Sequence, residues 1–242
     1  MKAVIIPARE GSTRLKNKML LEICGKPLIR WTVENCLKVK NVKVIVATDS
    51  TKIRDAIKDL NIDVEITPSN LNSGSDRIAY VVKKRPEIST IVNVQGDEPL
   101  ISPDDIQTIL KKLEEDNVVS LYYPINSIQE YENPNVVKVV LDKNSYAIYF
   151  SRSRIPFSRD DNFSFLKKNS LINKHIGVYG YRRDVLLDFA YNLTPPPLEK
   201  AEKLEQLRLL YHGYRIKMIK ASKNTIGVDT FEDYQKICNL LG

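Results

Sequence analysis

Hydrophobic residues in the first 115 positions alternate between short continuous runs and runs with helical spacing. Three continuous runs rich in valine and isoleucine, at 3–7, 42–47 and 90–94, are bounded by polar residues. Such runs are typical of parallel strands that are buried on both faces. Amphipathic helices are predicted between and after them, with Pro27 and Pro103 at first helical positions. This order predicts an α/β fold of three layers, with an open, mostly parallel sheet between two layers of helices.

The second half of the chain has a less regular pattern. Segments 136–141 and 146–150 predict a β-hairpin, and 176–181 and 215–219 predict further strands. A helix is predicted over 198–211, and the sequence TFED at 230–233 is typical of a capping box before a last helix. SPDD at 102–105 has the same form. We therefore expect a mixed sheet with an α+β insertion in the second half.

Composition limits the class of protein. The chain has 242 residues, of which 43% are hydrophobic and 28% are charged, and it contains no low-complexity linker. This balance excludes a disordered, collagen-like or disulfide-dense protein and favours one domain over 1–242. No apolar run approaches the roughly 20 residues of a membrane helix, and the apolar start is too short for a signal peptide. The expected location is the cytoplasm.

Charge narrows the class of ligand. Lys and Arg number 37 against 30 Asp and Glu, a net charge of +7, which fits anionic small molecules, nucleic acid or an acidic surface. Acidic residues interleave with the basic ones nearly everywhere, which argues against a nucleic-acid-binding face. With two histidines, and three cysteines that lack metal-like spacing, a histidine-rich metal site is excluded.

The segment after the first predicted strand has the chemistry of a phosphate-binding loop. Residues 7–18, PAREGSTRLKNK, combine glycine, serine and threonine with four cations in ten residues. Backbone amides and cations together bind polyphosphates, and ligands of open α/β sheets lie beyond the carboxyl ends of the strands. The alternative is a solvated basic loop. The cations are Arg9, Arg14, Lys16 and Lys18.

Two acidic residues are candidates for a metal site. Asp97 follows the third predicted strand directly and is expected to face the same crevice as the basic loop. Phosphate oxygens beside a carboxylate need a divalent cation between them, so Asp97 is a candidate Mg²⁺ ligand; the alternative is an ordinary turn residue. Asp229 precedes the last predicted helix, and its position alone favours a neighbour of the helix cap over a ligand.

A set of motifs in fixed order covers nearly the whole chain. The motifs are IPAR at 6–9, STRL at 12–15, GKPL at 25–28, VATD at 46–49, SGSDRIA at 73–79, NVQGDEP at 93–99, NPNVVK at 133–138, YFSRS at 149–153, HIGVYGYR at 175–182, LEQLR at 204–208 and GVDT at 227–230. Together they make the chain resemble the CMP-Kdo synthetases, or 3-deoxy-manno-octulosonate cytidylyltransferases. The resemblance has three departures: Lys16-Asn17 replaces the usual Pro-Gly, Met19 replaces Pro, and Ser75 replaces Thr.

The resemblance implies an activity and a fold. CTP and Kdo would give CMP-Kdo and pyrophosphate with Mg²⁺, for lipopolysaccharide biosynthesis, on a nucleotide-diphospho-sugar transferase-like fold. The family also implies a homodimer. Residues 1–115 would mainly bind the nucleotide, and 116–242 the sugar and the second copy.

The resemblance also implies roles for individual residues. Arg9 and Lys18 would hold the triphosphate and, with Asp97 and Asp229, form the catalytic set; the two acids would hold Mg²⁺. The cytidine pocket would be lined by Ala8, Ser73, Arg77 and Gln95. The sugar would be bound by Arg159, His175, Tyr179, Glu205 and Gln206. Taken alone, Arg159 is an ordinary loop cation, His175 a satisfied strand histidine and Glu205 an exposed helix acid.

Other functions remain open on the sequence. A cytidylyltransferase for another acidic sugar, such as a nonulosonic acid, is the nearest alternative, and the motifs around His175, Glu205 and Gln206 argue against it. A basic nucleic-acid-binding module would need cations and aromatics clustered on one face. A nucleotide-binding regulator without turnover would not release pyrophosphate.

Overall fold

The short apolar runs form the central strands of a mixed β-sheet in the computed structural model, which describes residues 1–11, 15–160 and 162–242. The strands, in chain order, are β1 (Lys2–Ala8), β2 (Glu22–Ile23), β3 (Lys26–Pro27), β4 (Lys43–Thr48), β5 (Asp63–Ile66), β6 (Thr90–Asn93), β7 (Val118–Pro124), β8 (Lys138–Leu141), β9 (Ala147–Ser151), β10 (Asn173–Arg182) and β11 (Lys217–Lys220). The helices are α1 (Leu28–Cys36), α2 (Thr51–Asp55), α3 (Gly74–Lys84), α4 (Pro103–Lys112), α5 (Ile128–Glu132), α6 (Phe163–Lys168), α7 (Arg183–Tyr191), α8 (Pro197–Glu202), α9 (Gln206–Tyr211) and α10 (Phe231–Leu241).

The main sheet has the strand order β11-β7-β10-β6-β1-β4-β5. Neighbours among β6, β1, β4 and β5 run parallel, and so do β11 and β7. Strand β10 is antiparallel to both β6 and β7. The predicted hairpin is present as β8 and β9, with β8 attached to the start of β10. The predicted mostly parallel, mixed sheet with an insertion in the second half is therefore confirmed.

Strand β1 shows why the apolar runs are continuous. Val4 and Ile6 lie in one apolar core with residues of α1 and α4, whereas Ala3 and Ile5 lie in a second core with residues of α3 and α7. All four are fully buried. Side chains alternate across a strand, so burial on both faces requires apolar residues at every position. The predicted three layers are confirmed. None of the helices in the described ranges has the length and apolar character needed to cross a membrane.

The helix predicted over 198–211 is wrong in one respect: it is two helices, α8 and α9. Lys203 ends α8 in the left-handed conformation, with φ of 51°. A left-handed residue redirects the backbone, so the chain starts a new helix at Gln206. The break places Glu205 and Gln206 at a helix start.

The two predicted capping boxes have different outcomes. The box at Thr230 and Asp233 is confirmed, with both reciprocal hydrogen bonds present. Ser102 is the N-cap residue of α4 and Pro103 follows at its first position, as predicted, but the capping box is wrong because the Ser102 side chain makes no capping hydrogen bond. Asp105, which would complete that box, instead accepts hydrogen bonds from the backbone N of Ser222 at 3.0 Å and from its hydroxyl at 3.1 Å.

Gly180 of β10 is predicted to be needed for the packing of α4. A Cβ there would overlap Ile109 and lie 2.7 Å from Leu113 Cδ1, so α4 would have to move. We expect Gly180→Ala to lower the free energy of unfolding by about 1–3 kcal/mol in urea denaturation. Gly177→Ala on the same strand is the matched control, because no atom lies within 4 Å of its Cβ position. Equal losses in both variants would contradict this explanation.

Candidate active site

Several of the predicted site residues lie at one edge of the main sheet. The carboxyl ends of β1, β4, β5 and β6 meet there because these strands are parallel. Strand β10 runs in the opposite direction, so it begins at this same edge, with His175 near its start. The edge thus collects Ala8 at the end of β1, Gln95 two residues after β6, and His175 near the start of β10. Ser12, Thr13 and Arg14 of the predicted phosphate loop lie outside the described residues.

Asp97 and Asp229 come together around the ammonium group of Lys18. Asp97 follows β6, and its backbone oxygen accepts a hydrogen bond of 2.9 Å from the backbone N of Val228, which fixes the segment before α10 beside it. The Lys18 Nζ donates to the carboxylate of Asp97, and it donates to Oδ1 of Asp229 at 3.0 Å. Asp229 also precedes the capped start of α10, so the expectation of a cap neighbour describes its local position correctly.

Packing around Gly96 explains how Lys18 reaches the acids. Lys18 opens a short 3-10 helix, Lys18–Leu20, in which Met19 is buried. A Cβ on Gly96 would lie 3.0 Å from the Met19 sulfur and 3.0 Å from Ile29 Cδ1, so the absent side chain of Gly96 makes room for Met19. Met19, which stands where the family has proline, therefore anchors Lys18 next to Asp97.

The electrostatics of this cluster keep Lys18 charged. Burial opposes the charged form, but the carboxylates of Asp97 and Asp229 outweigh it, so the pKa of Lys18 lies above its ordinary value. Glu98 lies beside them, and burial together with the Asp97 charge raises its pKa to about 8. Its Oε2 atom is buried without a hydrogen bond to a described residue. Glu98 is thus set apart from the two acids that face the cation.

The two acids fit a divalent cation that shares its coordination with a ligand. A single cationic group contacts both carboxylates, which shows that one ion can reach both. No group of three or more candidate ligands exists among the described residues, so a cage built by protein alone is not present in them. Two carboxylates with the remaining positions left to water and phosphate suit a hard cation.

The predicted cytidine residues lie where α3 begins. The hydroxyl of Ser73 caps α3 by accepting from the backbone N of Asp76 at 3.1 Å. The side chain of Gln95 packs against Gly74, since a Cβ on Gly74 would lie 3.2 Å from Gln95 Oε1 and 3.3 Å from Pro7 Cγ. Ala8 follows Pro7 as the last residue of β1. The structure therefore brings Ala8, Ser73 and Gln95 together.

The sequence pattern did not single out Asp49, which binds Arg77, one of the predicted cytidine residues. Arg77 is buried and donates to Asp49 Oδ2 at 2.9 Å and to the hydroxyl of Thr67. The other oxygen of Asp49 accepts from the backbone N of Glu10 at 2.9 Å, next to the exposed Arg9. One carboxylate thus holds both Arg77 and the loop after β1. The signal for Asp49 was the one that identified Asp97, an acid directly after a buried parallel strand.

Four of the five predicted sugar residues lie on β10 or at the start of α9. His175 packs edge-on against Phe150 at 5.0 Å between ring centres and against Tyr179 at 5.2 Å. Burial lowers the pKa of His175 to about 3 and raises that of Tyr179 well above its ordinary value. These rings form an apolar wall at the sheet edge.

Glu205 connects the start of α9 with α3. Its Oε2 accepts a hydrogen bond of 2.8 Å from the hydroxyl of Ser75 on α3, and burial raises its pKa. Threonine, the usual family residue at position 75, would keep that hydroxyl. Gln206 is buried beside it. Arg159 lies exposed between β9 and α6, and it makes no hydrogen bond or ion pair with a residue in the described ranges.

Comparisons with known proteins show the family of this chain. The family model for cytidylyltransferases matches residues 3–219. A 3-deoxy-manno-octulosonate cytidylyltransferase of Francisella tularensis subsp. tularensis is 44% identical over 243 residues, covering 98% of this chain and 97% of the relative. The enzyme of the same name from Geotalea uraniireducens is 45% identical over 246 residues, with the same coverage of 98% and 97%.

Solved structures confirm the fold. The structure of CMP:2-keto-3-deoxy-manno-octonic acid synthetase complexed with CTP superposes with a TM-score of 0.90 at 38% identity, covering 99% of this chain and 98% of that one. A 4-diphosphocytidyl-2C-methyl-D-erythritol synthase from Anaerococcus prevotii has a TM-score of 0.67 at 13% identity, covering 99% and 97%, and shows the fold alone. The chain therefore belongs to the cytidylyltransferase family and, within it, to the CMP-Kdo synthetases.

Proposed function

We propose that the protein transfers CMP from CTP to the anomeric hydroxyl of Kdo, giving CMP-Kdo and pyrophosphate for lipopolysaccharide biosynthesis. The observation that carries this proposal is the pairing of Asp97 and Asp229 around the Lys18 ammonium group, at the edge of the sheet where β1 and β6 end. Lys18 of the segment after β1 lies between the two acids, and β10, which carries His175 and Tyr179, begins at this same edge. That arrangement suits a polyphosphate and a hydroxylated acid that meet at a metal.

The nucleotide is proposed to lie over the ends of β1 and β6. Arg9 and Lys18 would hold the triphosphate, and Ala8, Ser73, Arg77 and Gln95 would line the cytidine pocket. The close approach of Gln95 to Gly74 supports a shared pocket. The buried ion pair with Asp49 holds the Arg77 guanidinium in one orientation. Its N–H groups would therefore be fixed hydrogen-bond donors beside the cytosine base.

Mg²⁺ is the proposed metal, held by Asp97 and Asp229. When bound, it supplies charge neutralisation at the phosphate and lowers the pKa of the attacking sugar hydroxyl. The carboxylates would be held in place by the backbone bond between Asp97 and Val228 and by the cap of α10. Lys18 would remain close to the developing negative charge.

The reaction is an in-line substitution at the α-phosphorus of CTP. The anomeric oxygen of the sugar forms a bond to phosphorus, the bond to the pyrophosphate oxygen breaks, and the hydroxyl releases its proton to solvent. The side chains mainly position the two substrates and stabilise charge, which is the main protein contribution in phosphoryl-type transfers. The cationic groups of Arg9 and Lys18 face the phosphate chain in this scheme, and we assign no side chain as the general base.

The sugar is proposed to bind Arg159, His175, Tyr179, Glu205 and Gln206. Arg159 suits the carboxylate, because its planar fork pairs with two oxygens at once. Glu205 has one carboxylate oxygen on Ser75, which leaves the other to accept from a sugar hydroxyl. The start of α9 directs Glu205 and Gln206 from adjacent positions.

The two halves of the chain form one domain in this proposal. Residues 1–115 mainly serve the nucleotide, and 116–242 mainly serve the sugar and a homodimer; strands from both halves share the main sheet. Exposed apolar residues support a dimer face around β9, where the exposed fraction of Ile148 is 57% and that of Phe157 is 75%. Tyr146 and Tyr149 of the same hairpin are half-buried, and so are Tyr122 and Tyr123 of β7, although these two pack against different cores. We place the reaction in the cytoplasm.

The proposal is tested by pyrophosphate release with CTP, Kdo and Mg²⁺, each omitted in turn. Release is expected only when all three are present. A nonulosonic acid replaces Kdo in a parallel reaction, and faster turnover with that sugar would assign the enzyme to it. Release that does not depend on any sugar would contradict the transfer reaction.

The three lysine and arginine residues Arg9, Lys16 and Lys18 are predicted to differ in their importance for CTP. Lys18→Ala and Arg9→Ala are each expected to lower kcat/KM for CTP roughly ten- to fiftyfold, because each removes one charge-assisted contact to the triphosphate. Lys16→Ala, at an exposed position where the family has proline, is the matched control and should change kcat/KM by less than about twofold. Steady-state kinetics with varied CTP measure all three. Equal damage from Lys16→Ala and Lys18→Ala would show that Lys16 also serves the phosphates.

A further inference from the structure

Strand β10 is irregular where it passes Ser120 of β7. Ile176 pairs with Leu121 and Tyr179 pairs with Ser120, so Gly177 and Val178 form a bulge between two adjacent residues of β7. Bulges redirect side chains and are frequent beside active sites. This bulge separates His175 from Tyr179, the two residues of β10 assigned to the sugar.

The hydroxyl of Ser120 fills the bulge. Ser120 is fully buried, and its hydroxyl donates to the backbone oxygen of Val178 at 2.9 Å, with the backbone oxygen of Ile176 at 3.4 Å. The same oxygen lies 3.0 Å from Nε2 of His175. A hydroxyl has one proton to donate and can accept further hydrogen bonds. Since the proton is directed at the bulge, the oxygen is left to accept from a protonated Nε2.

The surroundings of His175 favour a neutral ring. Phe150 and Tyr179 pack against it, at 5.0 Å and 5.2 Å between ring centres. Burial lowers the pKa of His175 to about 3, and no charged neighbour contributes to that shift. A neutral imidazole carries one N–H and one acceptor nitrogen, and the partner of one nitrogen decides which is which.

We propose that Ser120 is a positioning residue that fixes His175 as the neutral tautomer protonated at Nε2. The Nδ1 atom is then a hydrogen-bond acceptor, and it receives a hydroxyl group of the sugar. The sugar half of this inference rests on the proposed function, whereas the tautomer does not. The contact makes His175 selective for a hydroxyl group at that place in the substrate, since a group without a proton to donate would leave Nδ1 unpaired.

The tautomer is measured on the free protein by nitrogen NMR of isotope-labelled histidine. The chain has two histidines, so His212→Gln assigns the remaining ring signals to His175. At neutral pH we expect the correlation pattern of an uncharged ring with its proton on Nε2. A ring protonated at Nδ1, or a charged ring, would overturn the inference whether or not the enzyme is active.

Kinetics test the link to the sugar. Ser120→Ala is expected to populate both tautomers and to raise the KM for Kdo roughly tenfold, with CTP affinity unchanged within about twofold. Ser120→Thr keeps the hydroxyl and should restore both readouts. Ser89→Ala, an exposed serine before β6 at the opposite edge of the sheet, is the control and should leave both unchanged.

The outcomes separate the two hypotheses. If Ser120→Ala changes neither the tautomer nor the KM for Kdo, the positioning role is wrong. If it weakens CTP binding as much as Kdo binding, Ser120 has a general structural role and the inference also fails. If the wild-type protein makes no CMP-Kdo but His175 carries its proton on Nε2, the proposed function fails while the assignment of the ring stands.

Discussion

Replacing Asp97 or Asp229 with asparagine is expected to slow CMP-Kdo formation roughly a thousandfold or more, a loss of several kcal/mol of transition-state stabilisation. Each change removes one of the two negative charges that the structure brings together at the Lys18 ammonium group, where the metal is proposed to bind. Asparagine keeps the size of the side chain, so the lost charge is the main effect. Pyrophosphate release at varied Mg²⁺ measures the rate and the metal requirement of each variant.

Folding should survive both changes, because both acids lie in loops and their neighbouring backbone bonds do not depend on the carboxylates. Thermal denaturation is the check on stability. Asp104→Asn, at an exposed acid in the first turn of α4, is the matched control and should retain wild-type turnover. Full activity in EDTA, or turnover near that of the wild type in both variants, would show that the two acids do not form a metal site.

Replacing Arg159 with alanine is expected to lower the apparent affinity for Kdo roughly thirty- to a hundredfold. A charge-assisted bidentate contact contributes on the order of 2–3 kcal/mol, and alanine removes it entirely. Gln206→Ala should act in the same direction but more weakly, because it removes neutral hydrogen bonds. Sugar-dependent kinetics measure both effects.

The same two variants test whether the second half of the chain binds the sugar and not the nucleotide. Calorimetric titration with CTP alone should give affinities within about twofold of the wild type, since neither residue is expected to contact the nucleotide. Arg54→Ala, an exposed arginine of α2 that pairs with Asp55, controls for the loss of a surface charge. A large loss of CTP affinity with unchanged sugar dependence would assign Arg159 and Gln206 to the nucleotide instead.

The parts of the fold that could be predicted are those determined by burial on both faces of a strand or by contacts between residues close together in the chain. The run at β1 is apolar at every position because two cores receive alternate side chains, and that cause is visible in the sequence. The cap of α10 is likewise local, since Thr230 and Asp233 bind each other. The site edge followed from the same reasoning, because parallel strands bring their carboxyl ends together.

The parts that could not be predicted depend on partners far away in the chain. Asp105 has the right spacing for a cap box, yet it binds Ser222, which lies 117 residues away. The break at Lys203 is hidden because apolar spacing continues through it to Leu204 and Leu207. The spacing of hydrophobic residues indicates neither a contact between residues so far apart in the chain nor a single left-handed residue.

The pairing of Arg77 with Asp49 was missed for a related reason. The same position rule that identified Asp97 applies to Asp49, but only the folded structure shows that one carboxylate serves both α3 and the loop after β1. The resemblance to a family supplied Arg77 as a candidate without its partner. The charge balance of the pocket therefore became visible only in three dimensions.

The contacts that close the candidate site also bear on the order in which the protein folds. Lys18 and Asp229 are 211 residues apart in the chain, Ser75 and Glu205 are 130 apart, and Lys18 and Asp97 are 79 apart. Closing loops of this length costs chain entropy that must be compensated before the contacts can form. The strands of the first half can pair without any of these bonds, whereas the acid pair and the Ser75–Glu205 bond need both halves in place. A partly folded chain would therefore hold much of the sheet and yet have no assembled catalytic centre, which makes activity a late reporter of complete folding.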